Sequence, residues 1–203
     1  MLKKRSVVFL LLVLSLLLIP FSAYANEANE VNPKGVPGPE YPGTSIEMKV
    51  GDVLYSSKTF GNSSQIVGHV GIIGPDYLVY HVSPIIDTDG NGAGDSINVY
   101  MGRHGHGEKI SIYKYRYSSG VGAAQWAQNN YWKATEYAVV NPFHYLSTLT
   151  PNYCSKFIWQ AFYYGDGVDI TGKNLTGDTY GTWVYPSNFT NSRFAYGGQF
   201  TTP

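Results

Sequence analysis

The sequence predicts an α+β domain in which a small antiparallel sheet is packed with helices. Three observations carry this expectation. Short apolar runs, several of them alternating and separated by glycine- and proline-bearing turns, occupy residues 47–83 and 109–117. Two later stretches, "VGAAQWAQNNYWK" and "CSKFIWQAFYYG", exchange that alternation for helical spacing. Tyrosine, phenylalanine and tryptophan number 18, 9 and 4 in 203 residues, a composition that suits strands and stacking surfaces.

The elements follow in order. Residues 1–25 open with Lys3, Lys4 and Arg5, continue through a long apolar run to Pro20, and close on Ala23-Tyr24-Ala25. That is the pattern of a secretory signal peptide. It implies an extracellular or cell-wall location and no stable membrane span once the signal is removed. Residues 26–46 hold four prolines and three glycines and read as a linker or extended arm with little core of its own. The domain is expected over 47–203. "MKVGDVLYSS" is a β-rich run broken by Gly51, and "QIVGHVGIIG" is a second strand. Gly74-Pro75-Asp76 then turns the chain into "YLVYHVS", making a hairpin. "DTDGNGAGDSIN" reads as a loop and "KISIYKYRY" as a strand. A helix is expected from Val121 to Lys133. A second begins at Cys154, with Asn152 as its cap and Gly165 as its stop. In the tail, only "WVYPSNFTNSRFAY" is firmly apolar.

Charge excludes one class of partner. The chain has 14 basic and 14 acidic residues, and loss of a signal carrying three bases leaves 11 against 14. No basic stripe is present to bind nucleic acid.

Cys154 is the only cysteine. Structural cysteines of secreted proteins come in pairs, so this one is an inert buried thiol, an intermolecular link or a nucleophile. Its place near a helix start favours a thiolate through the unpaired N–H groups and the helix dipole. A nucleophile needs a base, and five histidines are available: His69, His81, His104, His106 and His144. His69 and His81 flank the hairpin turn at similar distances, so an imidazole pair on one sheet face is expected.

"GDVLYSS", "GHVGIIGPDYLVYHVSP" and, much later, "NYCSKFIWQAF" together resemble the NlpC/P60 superfamily of papain-like cysteine hydrolases. The histidine strand precedes the cysteine helix, the order of the circularly permuted branch (the YiiX/YebB/YycO-like group). "YPSNFTNS" resembles that branch's Pro-x-x-Leu segment, with Phe189 in place of leucine. The resemblance implies Cys154 as nucleophile, His69 as general base and His81 as the residue that orients it. His81 departs from the carboxylate that many permuted members carry. Tyr55 and Tyr153 are the candidates for an assisting tyrosine in oxyanion or substrate binding. The implied activity is a cysteine peptidase or amidase acting through an acyl-enzyme. Secretion points to a peptide or peptidoglycan-fragment substrate of the γ-glutamyl–diamino acid type. Two alternatives stay open: an acyl or lipid amidase, thioesterase or acyltransferase, and a non-catalytic wall-binding module.

No cofactor is expected, with calcium as the one alternative. Asp87, Asp89, Asn91 and Asp95 do sit at positions 1, 3, 5 and 9 of a calcium-loop spacing, with Gly92 at 6 and Asn98 where the bidentate glutamate belongs. Ordinary turn chemistry accounts for the same residues. "RHGHGE" offers His104 and His106 without a third zinc ligand and reads as a loop near the cleft.

Overall fold

The computed structural model describes residues 37–58, 68–84, 91–139 and 143–203, all within the unit Lys34–Pro203. The expected signal peptide, the first part of the arm, Asp87 and Asp89 lie outside the described residues.

Six strands build one antiparallel sheet: β1 (Val53–Ser56), β2 (His69–Ile73), β3 (Val79–Val82), β4 (Gly92–Asp95), β5 (Lys109–Tyr115) and β6 (Phe194–Thr201). Their order across the sheet is β4-β3-β2-β1-β5-β6. Among the described residues, three α-helices accompany them, α1 (Ile97–His104), α2 (Val121–Asn130) and α3 (Cys154–Gly165). α2 continues as a 3₁₀ turn, Tyr131–Lys133, so the expected helix to Lys133 is present in two parts.

Strand alternation sends neighbouring residues to opposite faces, and here both faces are covered. Val53, Val70, Ile72 and Val82 join one core with Ala123, Ala127 and α3. Leu54, Ile73, Val79, Ile110 and Ile112 join another with Tyr100 and Met101 of α1. This explains why β2 is buried at every position. α3 is buried at each residue from Cys154 to Phe162, the signature of a central helix rather than an amphipathic surface one. Phe157, Trp159 and Phe162 are fully buried, and each contributes about 1.5–3 kcal/mol of apolar transfer.

Several expectations are corrected. The arm does not lack core through residue 46: Tyr41 is fully buried, stacks on Phe200 at 5.1 Å and donates its hydroxyl to Asp52 Oδ2 at 3.0 Å. Packed structure therefore starts before Glu47. The 87–98 segment is not all loop, because its second half supplies β4 and the start of α1, capped where Ser96 Oγ accepts from Val99 N–H. The tail supplies a full edge strand, β6. Asn152 does not cap α3. Tyr153 holds that position without a side-chain cap bond. Asn152 instead accepts from Tyr153 N–H and donates to Gln160 Oε1 at 2.8 Å, while Gln160 holds the carbonyls of Leu146 and Thr148.

Candidate active site

The β2–β3 hairpin carries the two central histidines. Its turn closes with Gly74 N–H on Leu78 O at 2.8 Å and Tyr77 N–H on Gly74 O at 3.0 Å. The register, Ile72 with Tyr80 and Ile73 with Val79, sets His81 opposite Gly71, so the histidines are diagonal rather than directly facing. They still share a face, and His69 Nε2 lies 3.0 Å from His81 Nδ1 with the rings perpendicular at 89°. Gly71 makes the approach possible. A Cβ there would stand 2.7 Å from Val79 Cγ1, 3.3 Å from Tyr100 Cε2 and 3.4 Å from His81 Cβ.

The chain of contacts continues. His81 Nε2 donates to Asp95 Oδ2 at 2.9 Å. Arg103 grips the same carboxylate with Nε at 2.5 Å and Nη2 at 3.1 Å. α1 covers the group: the Tyr100 ring lies 5.1 Å from His81 and 5.9 Å from His69, and His104 lies 5.8 Å from His69. His69, His81, Asp95 and Tyr100 are all buried.

Cys154 reaches this group from the other core. Ile73 bonds the residues leading into β1 through both its N–H and its C=O, by way of Asp52 and Gly51. Antiparallel parity then turns the N–H of Val70 toward β3. The β2–β3 ladder covers only two residue pairs and does not extend to Val70. There the Val70 N–H favours the ionised form of Cys154, which places the sulfur near the residue that follows His69. Ser155 locks the helix start in place by donating to Val184 O at 2.8 Å.

Electrostatics describe a buried resting site in which the thiol and the imidazoles are neutral and Asp95 is ionised against Arg103. Burial pushes the Cys154 thiol up to about 11, against the N–H groups of Val70, Ser155 and Cys154 itself, which pull it down. The expectation that the helix start alone would favour a thiolate is corrected: desolvation outweighs the dipole. Burial likewise drives His69 well below the usual imidazole range, with the charges of His81, His104 and Arg103 adding to it. Burial lowers His81 too; Asp95 opposes and Arg103 assists. Burial pushes Asp95 up, but bonds from His81 and Arg103 prevail and bring it to about 2. His104 is lowered to about 4, chiefly by burial. Tyr100 is raised by burial and then by the neighbouring Cys154, which places the thiol within electrostatic range of the histidine face.

The remaining sequence candidates fall elsewhere. Tyr55 pairs with Val70 across β1 and β2, and its ring meets Tyr113 edge-on at 6.2 Å. Tyr153 is fully buried, and its hydroxyl accepts from Val184 N–H at 3.2 Å, a bracing task. The calcium spacing does not produce converging ligands in its described half. Asn91 accepts from Tyr137 N–H and donates to Ser83 O, and Asp95 faces His81 and Arg103. His104 ends α1 and bonds Tyr100 O, and His106 is exposed on Pro203 O. His144 lies in the segment between α2 and α3, where its carbonyl accepts from Gly181 N–H at 3.4 Å. Arg103 and Tyr100 are the site residues that sequence reasoning missed, and Asp95, a calcium-spacing candidate there, instead faces His81 and Arg103. The available signal was Ser96, a helix cap, followed by Ile97, Tyr100 and Met101 at helical spacing and by basic residues in the last turn.

No family model matches the chain. A curated relative, an uncharacterized 30.3 kDa protein of Bacillus thuringiensis, is 27% identical over 150 residues, covering 68% of this chain and 50% of the relative. The chain therefore spans about half the length of that relative. Among solved structures, the metalloprotein yiiX from Escherichia coli O157:H7 aligns with a TM-score of 0.45 at 13% identity, covering 76% of this chain and 97% of the other. No helix among the described residues is long and apolar enough to cross a membrane.

Proposed function

We propose that this chain is a secreted cysteine hydrolase that cleaves amide bonds in cell-wall peptides, of the γ-glutamyl–diamino acid type, through an acyl-enzyme on Cys154. One observation carries the reading: the sole cysteine begins a buried helix and lies against the strand of a His69–His81–Asp95 chain. The thiol starts protonated. As its sulfur attacks the substrate carbonyl, His69 takes the proton; the C–N bond then breaks and the same proton passes to the departing amine. Water attacks the thioester with His69 again as base, releasing the acid and restoring the thiol. The N–H groups at the start of α3 are suited to the oxyanion. The signal-peptide pattern supports a substrate outside the cytoplasmic membrane.

The test is digestion of purified peptidoglycan fragments, with mass analysis of products and of the protein. Wild type is expected to release new amine and carboxyl termini. Cys154→Ser should release none, and His69→Ala should slow release by about 100-fold or more. A folded wild-type protein that yields neither products nor a Cys154 acyl adduct would overturn the proposal.

A further inference from the structure

A general base needs one nitrogen without a proton, pointed at the thiol rather than at its orienting partner. We infer that Asp95 and Arg103 are positioning residues that set the tautomers of His81 and His69 in series, leaving Nδ1 of His69 as the proton-accepting nitrogen. This inference rests on the hydrolase reading and deepens it.

Three groups in contact fix the tautomers. An ionised carboxylate can only accept, so His81 Nε2, 2.9 Å from Asp95 Oδ2, carries a proton. A neutral His81 then has no proton on Nδ1. That nitrogen accepts from His69 Nε2 at 3.0 Å, so His69 carries its proton on Nε2. A neutral His69 thereby has Nδ1 unprotonated. Each ring fixes the next, and the carboxylate acts on the base through one intervening imidazole.

Arg103 decides whether the series holds. Were Asp95 unbalanced, its full negative charge would draw a second proton onto His81. His81 Nδ1–H would then donate to His69 Nε2 and force the His69 proton onto Nδ1, blocking the base. The two-pronged grip of Arg103 on Asp95 offsets that charge and keeps His81 neutral. The other titratable groups facing the pair are Tyr100 and His104 from α1 and Cys154 from α3. Burial keeps the two side chains from α1 uncharged at neutral pH. α1 is two turns long, so it returns Arg103 to the strand end that bears Asp95.

The test uses nitrogen-15 chemical shifts of the histidines in the full chain, together with the pH profile of fragment cleavage. In wild type, His81 and His69 should both carry their proton on Nε2 alone at pH 7. Asp95→Ala leaves Arg103 as the donor facing His81 Nε2; both tautomers should invert, with kcat falling about 10- to 100-fold at little change in KM. Arg103→Met should move the acid limb of the cleavage profile to higher pH, and Arg103→Lys should restore it. A wild-type His69 protonated on Nδ1 overturns the inference, as do unchanged tautomers in Asp95→Ala. If Asp95→Ala fails to fold, the wild-type shifts and the two Arg103 variants decide. If the tautomers are as stated but no Cys154 adduct forms, the hydrolase reading falls while the tautomer series stands. Cleavage with tautomers insensitive to both residues overturns the series and leaves the hydrolase reading standing.

Discussion

Alkylation of Cys154 by iodoacetamide separates two opposing forces on the thiol. Only the thiolate reacts at a useful rate. A thiol held near 11 is ionised to about one part in 10⁴ at pH 7, whereas an ordinary thiol near 8.5 is ionised to about 3%. Ionisation alone should therefore make Cys154 about 300-fold slower than a free cysteine, before steric shielding of a side chain that is 1% exposed. The rate should climb about tenfold per pH unit from 7 to 10 without levelling near 8.5. Mild urea, by opening the core, should raise it sharply. A fast rate that is flat below pH 7 would refute the reasoning, since it would mean a resting thiolate–imidazolium pair in which donors outweigh burial.

The remaining predictions concern stability and geometry. A thiol whose pKa is raised on folding stabilises the protein below the unfolded value of about 9, and this contribution is lost as pH rises toward 11. The loss is about 3 kcal/mol, from two units at 1.36 kcal/mol each. Buried tyrosines titrate in the same region, so the quantity to measure is the difference between wild type and Cys154→Ala in urea midpoint across pH 8–11. Gly71→Ala places a methyl against Val79, Tyr100 and His81, and should cost about 1–3 kcal/mol in urea unfolding while parting the imidazoles, seen as loss of the His69–His81 coupling in histidine spectra; an undiminished midpoint with intact coupling would refute the close packing.

Much of this architecture was legible because local pattern and tertiary role agree. "HVGII" and "LVYHV" alternate around a glycine–proline turn, and both their pairing and the sharing of a face by the histidines follow from that. "CSKFIWQAFYY" has apolar residues at helical spacing, which marks a helix, while the burial of Ser155, Lys156 and Gln160 beside them shows only in the packing. The elements that escaped lack such agreement. β4 is "GAGD", without a single β-branched or aromatic residue, and it forms because β3 offers it a ladder. β6 carries two consecutive glycines, one at a positive φ beside the bulge at Ile112–Tyr113. α1 is short and follows directly on a turn-like composition, so its cap was hidden among residues that also spell a loop.

The positioning groups were hidden for a different reason. The register pairs His81 with Ala93 rather than with Asp95, so no strand-pairing rule brings the carboxylate to the imidazole. Asp95 reaches His81 along a diagonal on the face that α1 covers, and only the return of that helix adds Arg103 to the contact. A calcium-loop spacing and a carboxylate–imidazole series draw on the same aspartate, and sequence spacing cannot separate them. What separates them is where each oxygen finds a donor. Asp95 has His81 on one side and a guanidinium on the other, donors that a cation ligand would have to give up. In the structure His81 lies between His69 and Asp95, so the carboxylate stands one imidazole away from His69.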